Sequence, residues 1–417
     1  MADQLSRFFF FLLSSLVFTL SLLQHPTACR AQTLFVFGDG FYDVGNKQFL
    51  SGNLVSANAP PYGVTVGKAT GRWSDGLVVS DYLAGFMGIP RISPILDPRS
   101  DLSHGASFAI AGATVLGSPP ETMTLGQQVR KFSENKNKWT DDERSKAIYL
   151  FYIGGDDYLN FAKKNPNPSD DQKQALSDQI ITGIEAAIKA VYGDGGRKFA
   201  LQNLAPLGCL PAVKQENGEG DTCVKLPSEL AALHNKKLLQ LLRKLGLKLK
   251  GFQYSYYDFF RCRQFNMYIY ILENASGVHR VKMICDVGTA FEKGNAACCG
   301  KGAYNGTGCG TDTVCSKPPE YVFFDGKHLT NEANFQIGQL IWSSDTEVIS
   351  PNNLRELLVL PLDIPVIFNT ASNTTGSGEE EEDTRREIHK MYDMGSLEWG
   401  TENQWPYQLD SVRSFTG

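Results

Sequence analysis

The sequence predicts an α/β fold in which a parallel sheet carries helices on its faces. Two observations point there: short apolar runs of strand length alternate with longer stretches of helical character, and leucines in one of those stretches recur at helical spacing. The first strand, 34–37 (LFVF), is an apolar run that stops at Gly38-Asp39-Gly40 and gives way to a polar turn holding Asp43, Gly45 and Asn46. Residues 107–109 and 148–153 (IYLFYI) are the next two candidates, 199–204 (FALQNL) the fourth, and 253–257 (QYSYY) a further one. Between them, 174–192 and 229–245 read as helices; in the second, Leu230, Leu233, Leu238, Leu241 and Leu245 fall near one face. A last helix should begin near Asn331 and run to about Trp342. No internal repeat is visible.

The composition is ordinary for a globular protein: 417 residues, 42% hydrophobic and 20% charged, enough for one large domain or two modest ones. A net charge of −5, with Lys and Arg scattered rather than gathered in a stripe, gives no electrostatic case for nucleic acid. Small molecules, carbohydrate or protein remain as partners. At the start, Arg7 precedes an apolar core over residues 8–23, and small residues at 28–31 offer a cut after Ala31. Residues 1–31 therefore read as a signal peptide. A membrane anchor is the competing reading, but an apolar core broken by Ser and Thr is short for a ~20-residue span. No later segment has that apolar length, so the mature chain is expected to have no transmembrane span and to lie in the lumen of the secretory pathway. The folded domain is expected over 32–360. Beyond it, residues 369–378 are rich in Asn, Thr, Ser and Gly, and 379–383 are all acidic. Such a segment buries too little apolar surface to offset the entropy of ordering it, so 361–417 reads as an acidic, disordered tail, with a docking or sorting role as the alternative.

Cysteine usage agrees with an oxidising compartment. Of 9 cysteines, Cys29 falls in the signal peptide; Cys209, Cys223, Cys262, Cys285, Cys298, Cys299, Cys309 and Cys315 remain, an even number. Zinc is the competing reading for the cluster from Cys298 to Cys315, against which stand the lack of CxxC spacing and of a nearby His. Asn274, Asn305 and Asn373 open N-x-S/T sequons and are candidate glycosylation sites, whereas Asn167 is excluded by Pro168. No cofactor or metal is called for.

Several blocks, taken in order, resemble the plant GDSL esterase/lipase family, a branch of the SGNH hydrolases. GDGFYDVGN (38–46) is similar to its nucleophile block GDSxxDxGN. PPYG (60–63) followed by GRWSDG (71–76), SFAIAGAT (107–114), IGGDDY (153–158), PLGCLP (206–211), CCG (298–300) and FFDGKHLTNEAN (323–334) resemble further family segments. The resemblance covers roughly residues 33–350 and implies one doubly wound, flavodoxin-like parallel sheet of SGNH hydrolase type, with its site at the carboxyl ends of the strands. Residues 261–292 do not resemble the family's connection and read as a divergent insertion. The disulfide pairings expected are Cys209 with Cys223, and Cys298 and Cys299 with Cys309 and Cys315, the order within the last four left open.

The family's mechanism is acyl transfer, and the resemblance transfers its roles position by position. A serine attacks the ester, a histidine takes its proton, and an aspartate three residues earlier orients that histidine; the last two are Asp325 and His328 here. The oxyanion is bound by a backbone N–H of the nucleophile turn, a second-block glycine (Gly112) and an asparagine. The nucleophile position, however, is Gly40, and the asparagine position is Asp156. Glycine has no oxygen to acylate. An ionised Asp156 would repel a developing oxyanion by roughly 4 kcal/mol at 4 Å with an effective dielectric near 20, and only a protonated one could donate. The five positions Gly40, Gly112, Asp156, Asp325 and His328 therefore read as a vestigial site. Ser51, Ser56, Ser74 and Ser80 are weighed as relocated nucleophiles and set aside, as are a water activated by His328 and replacement bases at His104 or His234. The retained Asp325 and His328 carry a plain alternative, a hydrogen-bonded clip on a turn.

The phrase GDGFYDVGNKQF narrows the resemblance to the catalytically inactive, myrosinase-associated-like proteins of crucifers, including the modified-vacuole-phenotype type. That subgroup implies a non-catalytic role among lumenal proteins, with myrosinase-type β-glucosidases as candidate partners. It places the chain in the endoplasmic reticulum lumen, with the vacuole or the extracellular space as alternatives. The competing readings are a weak or altered carboxylic-ester hydrolase that uses the Asp-His pair, and a lectin-like binder of small acyl or sugar ligands.

Overall fold

A computed structural model describes residues 32–51, 56–117, 121–217, 222–260, 291–344 and 348–362. The signal peptide, Cys262, Cys285, Asn274, Asn373, all but the last two residues of the 261–292 insertion, and the tail beyond 362 lie outside the described residues. Phe291 is buried.

Five parallel strands form the main sheet: β1 (Leu34–Gly38), β2 (Gly105–Ser107), β3 (Ile148–Tyr152), β4 (Lys198–Gln202) and β5 (Gln253–Tyr257). A three-residue strand, Ile349–Pro351, joins β5 antiparallel at the edge. The spatial order is β2-β1-β3-β4-β5 and then this edge strand, which is the doubly wound, flavodoxin-like order expected. The five strand expectations hold to within about two residues at each end. β1, β3, β4 and β5 are buried along their whole length; β1 and β3 accordingly read as continuous apolar runs, whereas β4 and β5 also bury Lys198, Gln202, Gln253 and Ser255. Register puts aromatic residues side by side: Phe35 pairs with Tyr149 and Tyr149 with Phe199, and these rings stack at 5.1 and 5.4 Å. Next along the same face of the sheet, Phe37 and Phe151 stack at 4.8 Å.

The helices fall into two groups of neighbours. α1 (Val79–Phe86), α6 (Asn331–Ser343) and α7 (Leu354–Val359) form one; α2 (Leu125–Asn135), α4 (Asp170–Gly193) and α5 (Lys225–Lys248) form the other, with α3 (Gly155–Lys164) against α5. The two long helices each begin 4 residues before the stretches read from the sequence, 170 against 174 and 225 against 229. Ser169 caps α4 by accepting from the Gln172 N–H, and α5 starts with a turn containing Pro227, tolerated where no N–H is needed. On α5, Leu230, Leu238, Leu241 and Leu245 are buried as expected, and Leu233 is half-buried.

Two features bear on the site. Gln128 of α2 brackets the end of β1, its amide nitrogen donating to the Gly38 carbonyl at 2.8 Å and its oxygen accepting the Gly38 N–H at 2.9 Å. Gly38 must be glycine, since its φ is +153° and a Cβ there would collide with the Tyr152 carbonyl. The second feature is a small parallel pair, Lys293–Ala297 with Tyr321–Phe323, outside the main sheet. Among the described residues three disulfides form: Cys209–Cys223, Cys298–Cys315 and Cys299–Cys309. They resolve the order left open by the sequence and spend the four clustered sulfurs on one another. Asn305 occupies a turn in this region with a positive φ of 51°, and its side-chain amide donates to the Ala297 carbonyl at 2.9 Å, so the nitrogen a glycan would use is engaged in the folded turn.

Candidate functional site

The site lies where the strand order reverses, at the carboxyl ends of β1 and β3, with the Asp325–His328 turn brought in from the disulfide-bonded region. That turn is held from behind: the Cys298 N–H donates to the Phe323 carbonyl at 2.9 Å and the Cys299 N–H to the Phe324 carbonyl at 2.7 Å. Both cysteines pack in a buried cluster with Tyr62 and Phe324. The CCG block therefore serves the site by fixing the turn that carries the histidine.

Asp325 and His328 are oriented as a working pair would be. His328 Nδ1 faces both Asp325 oxygens at 2.9 Å, and the Lys327 and His328 N–H groups each donate to Oδ1 at 2.8 Å. The Tyr62 hydroxyl donates to Oδ2 at 2.7 Å. Burial alone would raise the Asp325 carboxyl, but the imidazole, the Lys327 N–H and the Tyr62 hydroxyl together hold it well below the usual carboxylate range. With Nδ1 on the carboxylate, Nε2 is left to face Gly40.

At Gly40 the arrangement departs from that of a hydrolase. A Cβ built on Gly40 would fall under 3.0 Å from His328 Nε2 and 3.1 Å from its Cδ2, with the Ala111 methyl at 3.5 Å. A serine whose Oγ donates to Nε2 keeps its Cβ roughly 3.5 Å away. The imidazole thus occupies space that a nucleophile side chain would need. Trp73 lies over the ring at 5.2 Å and Phe41 approaches it at 6.3 Å, so His328 is enclosed as well as advanced.

The two positions that the resemblance assigns to the oxyanion side are Gly112 and Asp156. Gly112 keeps its positive φ of +79° and faces open space. Asp156, in the first turn of α3, is paired with the Lys327 ammonium at 2.8 Å. The repulsion expected from an isolated carboxylate is corrected by this cation, which the motif spacing did not reveal. The pair also explains the state of Asp39. Burial and then the nearby Asp156 push the Asp39 carboxyl up to about 7, against its single bond from the Phe41 N–H and the attraction of His328 and Lys327.

The other retained block residues hold the turn. Asp43 accepts N–H groups from Gly45, Asn46, Lys47 and Ala111 at 2.6–3.2 Å. Asn46 donates to the Ser107 and Ala109 carbonyls at 2.8 and 2.9 Å and accepts the Leu96 N–H at 3.1 Å. Asp157 accepts from Val115 and Leu116, both at 2.8 Å. In the GRWSDG segment, Arg72 makes two 2.7 Å bonds to buried Asp81, and Asp75 accepts the Asn331 N–H at the start of α6. Ser74 is fully buried and bonds within this segment, and Ser80 is fully buried on α1, so neither is a relocated nucleophile. Ser51 and Ser56 fall on short helical turns, 48–51 and 56–58. His104 bonds to the Gln32 carbonyl, and His234 packs on Tyr158, its pKa driven down to about 3 by burial; both are structural.

The model of the GDSL-like lipase/acylhydrolase family matches residues 34–341. The chain belongs to this family. It is similar to an Arabidopsis thaliana protein named inactive GDSL esterase/lipase-like protein 25, 61% identical over 96% of this chain and 91% of the relative. Inactive GDSL esterase/lipase-like protein 23 of the same plant is 40% identical over 83% of this chain and 90% of its own length. GDSL esterase/lipase 22, also from A. thaliana, is 39% identical over 84% and 89% respectively. In this chain Asp325 and His328 form a bonded pair, Gly112 has a positive φ, and residue 40, the position that the resemblance assigns to the nucleophile, has no side-chain oxygen. Among the described residues no helix is long and apolar enough to cross a membrane.

The Asp39 environment gives a prediction. A carboxyl whose folded pKa is raised from about 4 to about 7 favours folding at low pH, and that contribution is lost as pH rises through 7. The full loss is up to about 4 kcal/mol. Asp39→Asn keeps an oxygen for the Phe41 N–H and removes the buried charge. It is expected to raise the urea midpoint at pH 7.5 by the equivalent of about 1–3 kcal/mol and to give little gain at pH 4.5. An equal gain at both pH values would show that burial of this charge is not the cause.

Proposed function

We propose that this is a non-catalytic GDSL esterase/lipase-like protein that works by binding, as a lumenal scaffold in endoplasmic reticulum and vacuolar endomembrane organisation. The observation that carries the non-catalytic part is Gly40, where no side-chain oxygen exists and the His328 imidazole fills the nucleophile's space. The lumenal part is supported by the apolar, cleavable character of residues 1–31 and by the disulfides among the described residues, which persist in oxidising compartments. Myrosinase-type β-glucosidases are the proposed class of partner, on the strength of the GDGFYDVGNKQF phrase. The intact Asp325–His328 geometry favours a second reading, a weak hydrolase.

One experiment separates the two. The purified protein is expected to hydrolyse p-nitrophenyl acetate and butyrate no faster than its His328→Ala variant, while affinity-tagged protein recovers lumenal proteins from plant extracts. Turnover above background that disappears in His328→Ala establishes the hydrolase reading instead. Absence of turnover with no recovered lumenal partner keeps the non-catalytic conclusion and removes the scaffold role.

A further inference from the structure

His328 need not stand where it does merely because Gly40 leaves room. The turn that carries it is tied at two points. Within the turn, Asp325 holds both the imidazole Nδ1 and the Lys327 and His328 N–H groups. From the turn, the Lys327 side chain crosses the cleft and meets Asp156 at 2.8 Å, a link between residues 171 apart in sequence. Asp156 belongs to the first turn of α3, which follows β3, and β3 is the direct neighbour of β1, whose end leads into Gly40. Lys327 precedes His328 in the chain, so a pull on one is transmitted to the other.

We infer that the Lys327–Asp156 ion pair is a strap across the cleft that draws the His328 turn forward and seats the imidazole in the space of the missing nucleophile side chain. Lys327 is on this view a positioning residue, acting through His328. Its ammonium is about half exposed, at 47% of the side chain, so the strap acts by geometry more than by strength. The inference concerns position only and stands apart from whether the protein has any activity. Packing by Trp73 and Phe41 is the rival cause of the same placement.

A double-mutant cycle on stability distinguishes them. Gly40→Ser places a Cβ and hydroxyl against Nε2 and is expected to lower the folding equilibrium constant about 30-fold in the wild-type background, within the range for overpacking a buried site. In a Lys327→Met or Asp156→Asn background the turn can withdraw, and the same substitution is expected to cost at least about fivefold less. The charge-swapped pair Asp156→Lys with Lys327→Asp should restore the original penalty. In a His328→Ala background Gly40→Ser should be nearly neutral, which verifies that the imidazole is the obstacle. A lysine that contributes only general stability would lower every variant alike and leave the Gly40→Ser penalty unchanged within twofold, and that result overturns the strap. If Gly40→Ser alone does not fold, its recovery by Lys327→Met supports the inference and failure in both backgrounds overturns it.

Discussion

Gly40→Ser combined with Asp156→Asn is expected to convert the protein into an ester hydrolase, with kcat/KM on p-nitrophenyl butyrate about 10³-fold or more above wild type. The reasoning runs through three retained parts. The base is already oriented, with Nδ1 on Asp325 and Nε2 toward residue 40. Gly112 still offers an open backbone on the oxyanion side. The turn that would carry the new serine is fixed by Asp43 and Asn46. Loss of a triad nucleophile removes up to about 10⁶ in rate where the rest is intact, and one oxyanion donor is worth about 10²–10³. Gly40→Ser alone should therefore fall roughly 10²-fold below the double variant, because Asp156 supplies no donor and its pairing with Lys327 keeps the imidazole advanced. Asp156→Asn alone should match wild type, having no nucleophile. A folded double variant with no turnover would place the fault elsewhere, first at Ala111, whose methyl lies 3.5 Å from a Cβ built on residue 40 and where the family resemblance has glycine.

The sheet and the glycine at residue 40 are legible in the sequence because both are local. Strands buried on two faces are largely apolar, and residue 40 is read directly from the block that contains it. Helix α2 was not legible, although Thr124 and Gln127 form a capping box at its start, because its apolar face is short: Leu125, Val129 and Phe132. The antiparallel edge strand is three residues long and ends in Pro351, below what alternation can show. At the site, Asp325 and His328 are legible through the resemblance of FFDGKHLTNEAN to the family's last block, whereas Lys327 sits at an unspecified position of that block and its partner lies 171 residues away. No local pattern records that pairing, so the electrostatic cost assigned to Asp156 was that of a lone carboxylate. The enclosure of His328 by Trp73 and Phe41 is hidden for the same reason: it depends on three segments that only the fold brings together.

Asp43→Ala is expected to be the most damaging single change in the nucleophile block, although residue 43 touches no reacting position. Its carboxylate accepts four backbone N–H groups, three from its own turn and one from Ala111 across the cleft floor. Burial raises this carboxyl to about 6 in spite of those donors, so at neutral pH the charged form is held at a cost that falls as pH drops from 6 toward 4. Removing the side chain relieves that cost and leaves the donors without acceptors, each worth about 1–3 kcal/mol when buried. The second term is larger. The net loss should be about 3–5 kcal/mol, a large part of a typical stability of about 5–15 kcal/mol. In a urea titration at pH 7.5 the midpoint should fall accordingly, or soluble yield should collapse. Asp43→Asn should also destabilise, since an amide nitrogen must then face at least one of the same donors. Asp39→Asn, four residues earlier in the same block, is expected to do the opposite, because Asp39 receives one N–H where Asp43 receives four. If both asparagine variants shift the midpoint in the same direction, backbone donors are not what separates these two buried acids, and the structural role assigned to Asp43 fails with that result.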